Sequence, residues 1–262
     1  MSRQQIDELI AKLGKESKPY NWLKEEISKI EELEFMDFDL DMLELLGLGI
    51  FLNANNEISL KTRTTKIKEE IFCVVDIETS GSIRSGQIIE IGAVKIQNSK
   101  EIARFQSLIK ATDIPPNIEE LTGINLTMLK NAPSLASVLN EFRIFLKDSI
   151  FVAHNVNFDY NFISSSLSAC DFGILLNKKL CTIELARRII LSERYGLDSL
   201  KEILNINTPH HRALSDALAA SEILKYCLSK LPRHIKTTEE LIGFSKSATL
   251  KSKLAQAQQS KL

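Results

Sequence analysis

Apolar residues near the start of the chain recur at helical spacing. Ile6, Leu9, Ile10 and Leu13 mark one face, and Trp22, Leu23, Ile27 and Ile30 mark another, so two amphipathic helices are predicted before residue 31. Gly49-Ile50-Phe51-Leu52 runs through an Asn-rich stretch into Ile58 and Leu60, the pattern of a β-hairpin. Helices followed by a hairpin suggest a small α+β module over residues 1–66 with a winged-helix-like order. Beyond residue 67 the pattern changes to short β-branched runs separated by helical stretches. Strands are expected near 72–78, 88–97, 101–109 and 149–153, with helices near 134–147, 157–168, 182–191, 198–204 and 212–229. Ser134, behind Pro133, is a cap for the first of these helices. The alternation gives an α/β domain over 67–232: a central mixed sheet flanked by helices, its first three strands an antiparallel meander.

Charge refines this outline. The 262 residues sum to a net charge of −1, so any attraction to nucleic acid must come from a local basic patch. Residues 25–44 hold nine acidic side chains against Lys29 alone. That argues against duplex DNA as the module's partner, leaving either protein docking or a solvated acidic face on a packing module. From Lys225 onward there are eight Lys or Arg and two Glu, and residues 233–262 read as a basic, flexible tail, with Ala255–Leu262 polar and disordered. The four cysteines, at 73, 170, 181 and 227, have no Cys-x-x-Cys spacing. With no secretory signal and no apolar run of membrane length, a cytoplasmic location is expected and a membrane is not.

Chemistry enters where the strands end. Phe72-Cys73-Val74-Val75 leads into Asp76-Ile77-Glu78-Thr79, and side chains two apart on a strand share a face. Asp76 and Glu78 therefore project together, a repulsive pair unless a cation compensates it; a solvated strand end is the plain alternative. A second strand, ending at Ala153, runs into His154-Asn155-Val156-Asn157-Phe158-Asp159. Asn155 or Asn157 can cap the helix that follows, and Asp159 near its first turn suits the helix dipole even with no other role. The third place is His211 to Ala220, where Asp216 lies beside a stripe formed by Ala213, Ala217 and Ala220. Alanines let a helix approach a sheet closely, and an ionised Asp on that approach needs compensation.

Asp76-x-Glu78 with Thr79 and Gly81, then His154-Asn155-x-x-Phe158-Asp159, then His211 five residues before Asp216, resembles the DnaQ-like 3′–5′ exonucleases. The resemblance spans about residues 70–230 and includes Leu121-Thr122-Gly123-Ile124, similar to the family's turn after its third strand. It implies an RNase H-like fold and the His-type branch, since position 212, the Tyr-type position, is Arg. Ser80 stands where many relatives have a second Thr, and His210 competes with His211 for the third motif. Within the family the motifs are most similar to the epsilon-type proofreading exonucleases of bacterial DNA polymerase III.

The implied reaction is hydrolysis of DNA 3′ ends to nucleoside 5′-monophosphates with two magnesium or manganese ions. Asp76, Glu78, Asp159 and Asp216 offer the oxygen ligands such hard cations prefer. His211 is the candidate general base. Five residues turn a helix by about 140°, so His211 should lie on the loop before the helix, not within it. The resemblance further implies that Thr79 lines the terminal-nucleotide pocket and Asn155 helps hold its phosphate. The expected substrate is a single-stranded or frayed DNA 3′ end, with the polymerase III alpha subunit or a sliding clamp as partner. An RNase T-like exoribonuclease would use the same residues. A catalytically idle binding module would show lost ligand positions, and all five are filled.

Overall fold

The computed structural model describes residues 2–31, 39–208 and 211–252. The N-terminal segment comprises α1 (Ser2–Lys15), β1 (Lys18–Pro19), α2 (Tyr20–Ile27), α3 (Leu40–Leu45), β2 (Ile50–Leu52) and β3 (Glu57–Leu60). Its strands pair antiparallel in the order β1-β3-β2. The helical stripes read from the sequence are buried except for Trp22, which is partly buried against them: Leu9 and Leu13 pack with Leu23, Ile27 and Ile58. Asn53 closes the hairpin, its side-chain oxygen accepting from the N–H groups of Asn55 and Glu57 at 2.9 and 3.0 Å.

The second segment begins with β4 (Phe72–Thr79), β5 (Ile88–Gln97) and β6 (Lys100–Leu108), followed by α4 (Pro116–Thr122), α5 (Leu126–Lys130) and α6 (Leu135–Leu146). Then come β7 (Ile150–Ala153), α7 (Val156–Ala169), β8 (Lys179–Cys181), α8 (Thr182–Ile189), α9 (Leu197–Leu204), α10 (Ala213–Ser229) and α11 (Thr238–Ser245). The five-stranded sheet runs β6-β5-β4-β7-β8. Its first three strands are antiparallel, whereas β7 joins β4, and β8 joins β7, in parallel. Central β4 is buried on both faces. Cys73, Val75 and Ile77 meet the cluster containing Phe142 and Ile163, and Phe72 and Val74 meet the one containing Ala220 and Leu224 of α10. Strand alternation then carries Asp76 and Glu78 out on the α10 side.

Three features differ from the sequence expectation. Helices α4 and α5 occupy a stretch read only as a turn; at seven and five residues they are too short to display a helical period. Strand β8 adds a three-residue edge. The flexible tail expected from residue 233 is corrected over 238–245: α11 is capped by a reciprocal Thr237–Glu240 box and buries Leu241 and Ile242. Basic composition masked the box, which offsets two otherwise unpaired helix donors. Residues 253–262, where a disordered end was expected, lie outside the described residues.

The two segments interlock. Ile174 and Leu176 sit in the N-terminal core, and the Leu176 N–H donates to the Leu46 carbonyl at 2.7 Å. Lys61 bridges Glu44 and Asp148 at 3.0 and 2.6 Å, while Glu239 of α11 accepts from Thr62 and Lys178 at 2.6 and 2.8 Å. Among the described residues no helix is long and apolar enough to cross a membrane.

Candidate active site

The carboxylates converge at the end of β4. Carboxylate oxygens of Asp76, Glu78 and Asp216 lie within 4.8 Å of one another. Strand alternation supplies the first two; the third arrives because α10 rides directly on the sheet. A side chain at Gly92, which pairs with Asp76 across β4 and β5, would place its Cβ 2.1 Å from the Leu214 nitrogen. Only glycine permits that approach. Asp159, in the first turn of α7, is buried at 3% exposure, and its charge acts on Asp76. The four carboxylates expected from the sequence thus share one neighbourhood, Asp159 flanking the tighter group of three.

This crowding is electrostatically costly. Burial, then the charges of Asp159, Glu78 and Asp216, hold Asp76 well above the ordinary carboxylate range. Burial and the Asp216 charge push Glu78 up to about 7. Burial raises Asp159 to about 8, against the pull of backbone N–H groups of Asp159 itself and Ile77. An array of oxygen donors, without a thiol or imidazole among them and unable to ionise together cheaply, fits a hard divalent cation.

His211 lies where its spacing to Asp216 predicted, on the loop immediately before α10, with an exposed side chain. Its backbone is left-handed, φ 56°, uncommon outside glycine though less so for His, and its N–H donates to Asp216 Oδ2 at 3.1 Å. Asp216 therefore fixes the histidine's backbone as well as facing the other carboxylates. His210, the competing histidine, lies outside the described residues.

The sequence reading missed Glu90. This fully buried β5 residue stands opposite Glu78 in the sheet, yet its carboxylate accepts two bonds from Arg212, at 2.7 and 3.0 Å. It also accepts from the Gln106 side chain and the Ala213 N–H, each at 3.0 Å. These donors lower its pKa despite the burial. The available signal was a lone acid inside the apolar run Ile88-Ile89-Glu90-Ile91.

Comparison with known proteins identifies the family. The sequence profile of the exonuclease family RNase_T matches residues 73–224, which contain all four carboxylates and the histidine. The chain belongs to the DnaQ-like 3′–5′ exonuclease family. It is 42% identical over 176 residues to a PolC-type DNA polymerase III of Caldanaerobacter subterraneus, covering 65% of this chain and 12% of that protein. To a putative bifunctional exonuclease/endonuclease protein of Mycobacterium tuberculosis it is 34% identical over 196 residues, 70% of this chain and 30% of the relative. The chain thus spans a minor part of these relatives. A structure of Exonuclease X in complex with 5′ overhanging duplex DNA superposes with TM-score 0.51 at 25% identity, covering 66% of this chain and 99% of the other. E. coli Exonuclease I in complex with a dA16 oligonucleotide shares the fold, with TM-score 0.56 at 16% identity over 63% of this chain and 42% of that one.

The remaining motif residues of this family member divide between rim and scaffold. Thr79 turns its hydroxyl to the Gly81 carbonyl at 3.0 Å, which shapes the turn leaving β4. Asn155 occupies the cap position of α7 with φ 80° but makes no side-chain capping bond, and Asn157 lies within the helix, which corrects the expectation that Asn155 or Asn157 caps it; the left-handed backbone of Asn155 departs from the extended geometry of a capping residue, and its side chain is exposed. Asn155→Asp keeps a residue that tolerates this backbone and adds a charge that repels phosphate. At least a tenfold rise in KM for an oligonucleotide is expected, with the melting temperature unchanged; parental KM would make Asn155 a turn former only.

His154 is scaffold. The Tyr195 carbonyl can only accept, so Nε2 carries the proton and donates across 3.0 Å, leaving Nδ1 to accept the Thr182 hydroxyl at 2.8 Å. Burial lowers its pKa from 6.5 to about 4. Between those values the unfolded chain binds the extra proton, so this residue's contribution to stability falls as pH drops, by roughly 3 kcal/mol across the window. His154→Gln, which cannot take that proton, is expected to flatten the acid slope of melting temperature against pH; an unaltered slope would place the loss at another group.

Proposed function

We propose that this chain removes nucleotides from DNA 3′ ends by hydrolysis, releasing nucleoside 5′-monophosphates, with Asp76, Glu78, Asp159 and Asp216 as ligands for two magnesium or manganese ions. The observation that carries this reading is the convergence of Asp76, Glu78 and Asp216 within 4.8 Å at the sheet rim of a family-matched domain. Divalent ions bound there supply Lewis-acid charge for the attacking water and the leaving oxygen of an in-line displacement. The protein's own groups do the rest. The four carboxylates set where that charge sits, and the His211 imidazole, on the loop next to Asp216, accepts the water's proton. Asp216 restrains the His211 backbone, and Asn155 and the turn after Thr79 line the approach of the terminal nucleotide.

Similarity to PolC-type DNA polymerase III supports a replication-linked role in proofreading. The acidic N-terminal segment, winged-helix-like in its element order, is proposed as a docking module for a protein such as a polymerase alpha subunit or sliding clamp. A degradation assay with magnesium on single-stranded DNA, mismatched duplex DNA and RNA tests the reading. Stepwise loss of mononucleotides from the DNA 3′ end is expected, fastest where that end is unpaired. Preference for RNA would transfer the same chemistry to an exoribonuclease, and no cleavage of any of the three would overturn the proposal.

A further inference from the structure

Helix α10 carries Asp216 and follows the loop carrying His211, and Arg212, at its cap position, makes no side-chain bond to the helix. A helix start leaves orphan N–H donors and partial positive charge. Here the Ala213 N–H is satisfied from another element, by Glu90 of β5, 123 residues away in sequence. The same carboxylate takes the Arg212 guanidinium through two nitrogens, and Gln106 of β6 completes its four bonds. With those bonds filled, Glu90 is unsuited to ligate a cation although it stands opposite Glu78. Its geometry instead ties β5 and β6 to the residues between His211 and Asp216. Gly92, two residues along, removes the steric obstacle to that docking.

We infer that Glu90 and Arg212 are positioning residues: an interlocked pair that caps α10 from the sheet and sets His211 and Asp216 against the carboxylates of β4. The inference rests on the exonuclease reading of this site. A fork of two parallel N–H bonds defines orientation as well as distance, which a lysine's single ammonium cannot reproduce. Two competing roles are distinguishable. A pair serving stability alone could be replaced by apolar side chains of similar volume, because a buried ion pair is often matched by such packing. An Arg212 that grips substrate would reveal itself in KM.

The test compares Glu90→Gln, Arg212→Lys and the double variant Glu90→Met/Arg212→Met in the full chain. Melting temperature, amide hydrogen exchange of residues 211–217 without metal, and kcat and KM on a single-stranded oligonucleotide in magnesium are measured. In the double variant melting should stay within a few degrees, exchange at the start of α10 should accelerate tenfold or more, and kcat should fall about 10- to 100-fold, the usual scale for groups that orient metal ligands. KM should change little. Glu90→Gln, which still accepts bonds but lacks the charge, and Arg212→Lys, which keeps the charge but not the fork, should fall between parent and double variant, and they carry the comparison if the double variant does not fold. Parental kcat and exchange in folded variants would overturn the inference. So would a loss expressed in KM, which makes Arg212 a substrate contact, or one that tracks melting temperature across all three. If the parent lacks nuclease activity the exonuclease reading fails, while the exchange measurement still decides whether the pair holds α10.

Discussion

An Asp76→Ala protein is expected to lose about a thousandfold or more of its magnesium-supported rate, since a misplaced ion withdraws several kcal/mol of transition-state stabilisation. The same protein should melt at a higher temperature than the parent in EDTA at neutral pH. Without a cation the folded state must bury Asp76 beside Glu78, Asp159 and Asp216, and the pKa values, raised first by burial and then by the neighbouring charges, record what that costs. Glu78 takes its proton near 7 and Asp159 near 8 in the folded chain, against ordinary values of 4.5 and 3.8 in the unfolded one. Between these limits the folded state binds more protons, so metal-free stability falls as pH rises toward 8. The melting-temperature gain from adding magnesium should accordingly be larger at pH 8 than at pH 5.5. Near-parental activity in Asp76→Ala would sink the metal-ligand assignment, and a lower melting point in EDTA would refute the repulsion account.

His211→Ala is expected to reduce the rate by about a hundred- to ten-thousand-fold, the scale for removing a positioned general base, while His210→Ala stays near parental activity. Oligonucleotide binding in calcium, which occupies oxygen sites, should be almost unchanged in His211→Ala. Asp216 holds the His211 backbone N–H, so Asp216→Asn is not an independent test of metal binding: it perturbs ligand and base together. Should His210→Ala be the crippled variant, the base is the neighbouring histidine.

Much of the α/β framework was legible because it depends on neighbours in sequence. Apolar runs and their periods placed β4, β5, β6 and β7 and the longer helices within a residue or two, and the two-residue alternation of β4 aimed Asp76 and Glu78 in one direction before any neighbour was known. The five-residue step from His211 to Asp216 similarly required a loop for the histidine, because a continuous helix would have turned it away. Where local signal was thin, the reading stopped short. Helices α4 and α5 span too few turns to show a period, and the capping box of α11 was hidden in a basic stretch.

Other features could be decided only by tertiary structure. Taken alone, Asp159 reads as a helix-dipole residue, and only the family resemblance implied a ligand there; its burial beside Asp76 follows from α7 docking against β4, with the Ile77 N–H among the groups acting on its carboxylate. Asn155 or Asn157 reads as a cap, yet Asn155 has a left-handed backbone and no capping bond, and Asn157 lies inside α7. Glu90 and Arg212 are 122 residues apart, and no local period records that one caps the helix following the other. The sequence alone determined which residues repeat, alternate or break a pattern, because backbone geometry ties those properties to adjacent positions. Which carboxylates meet at the sheet rim, and which one is already held by an arginine, was decided by the packing of α7 and α10 on the sheet, because charge and hydrogen bonding act between groups brought together across the fold.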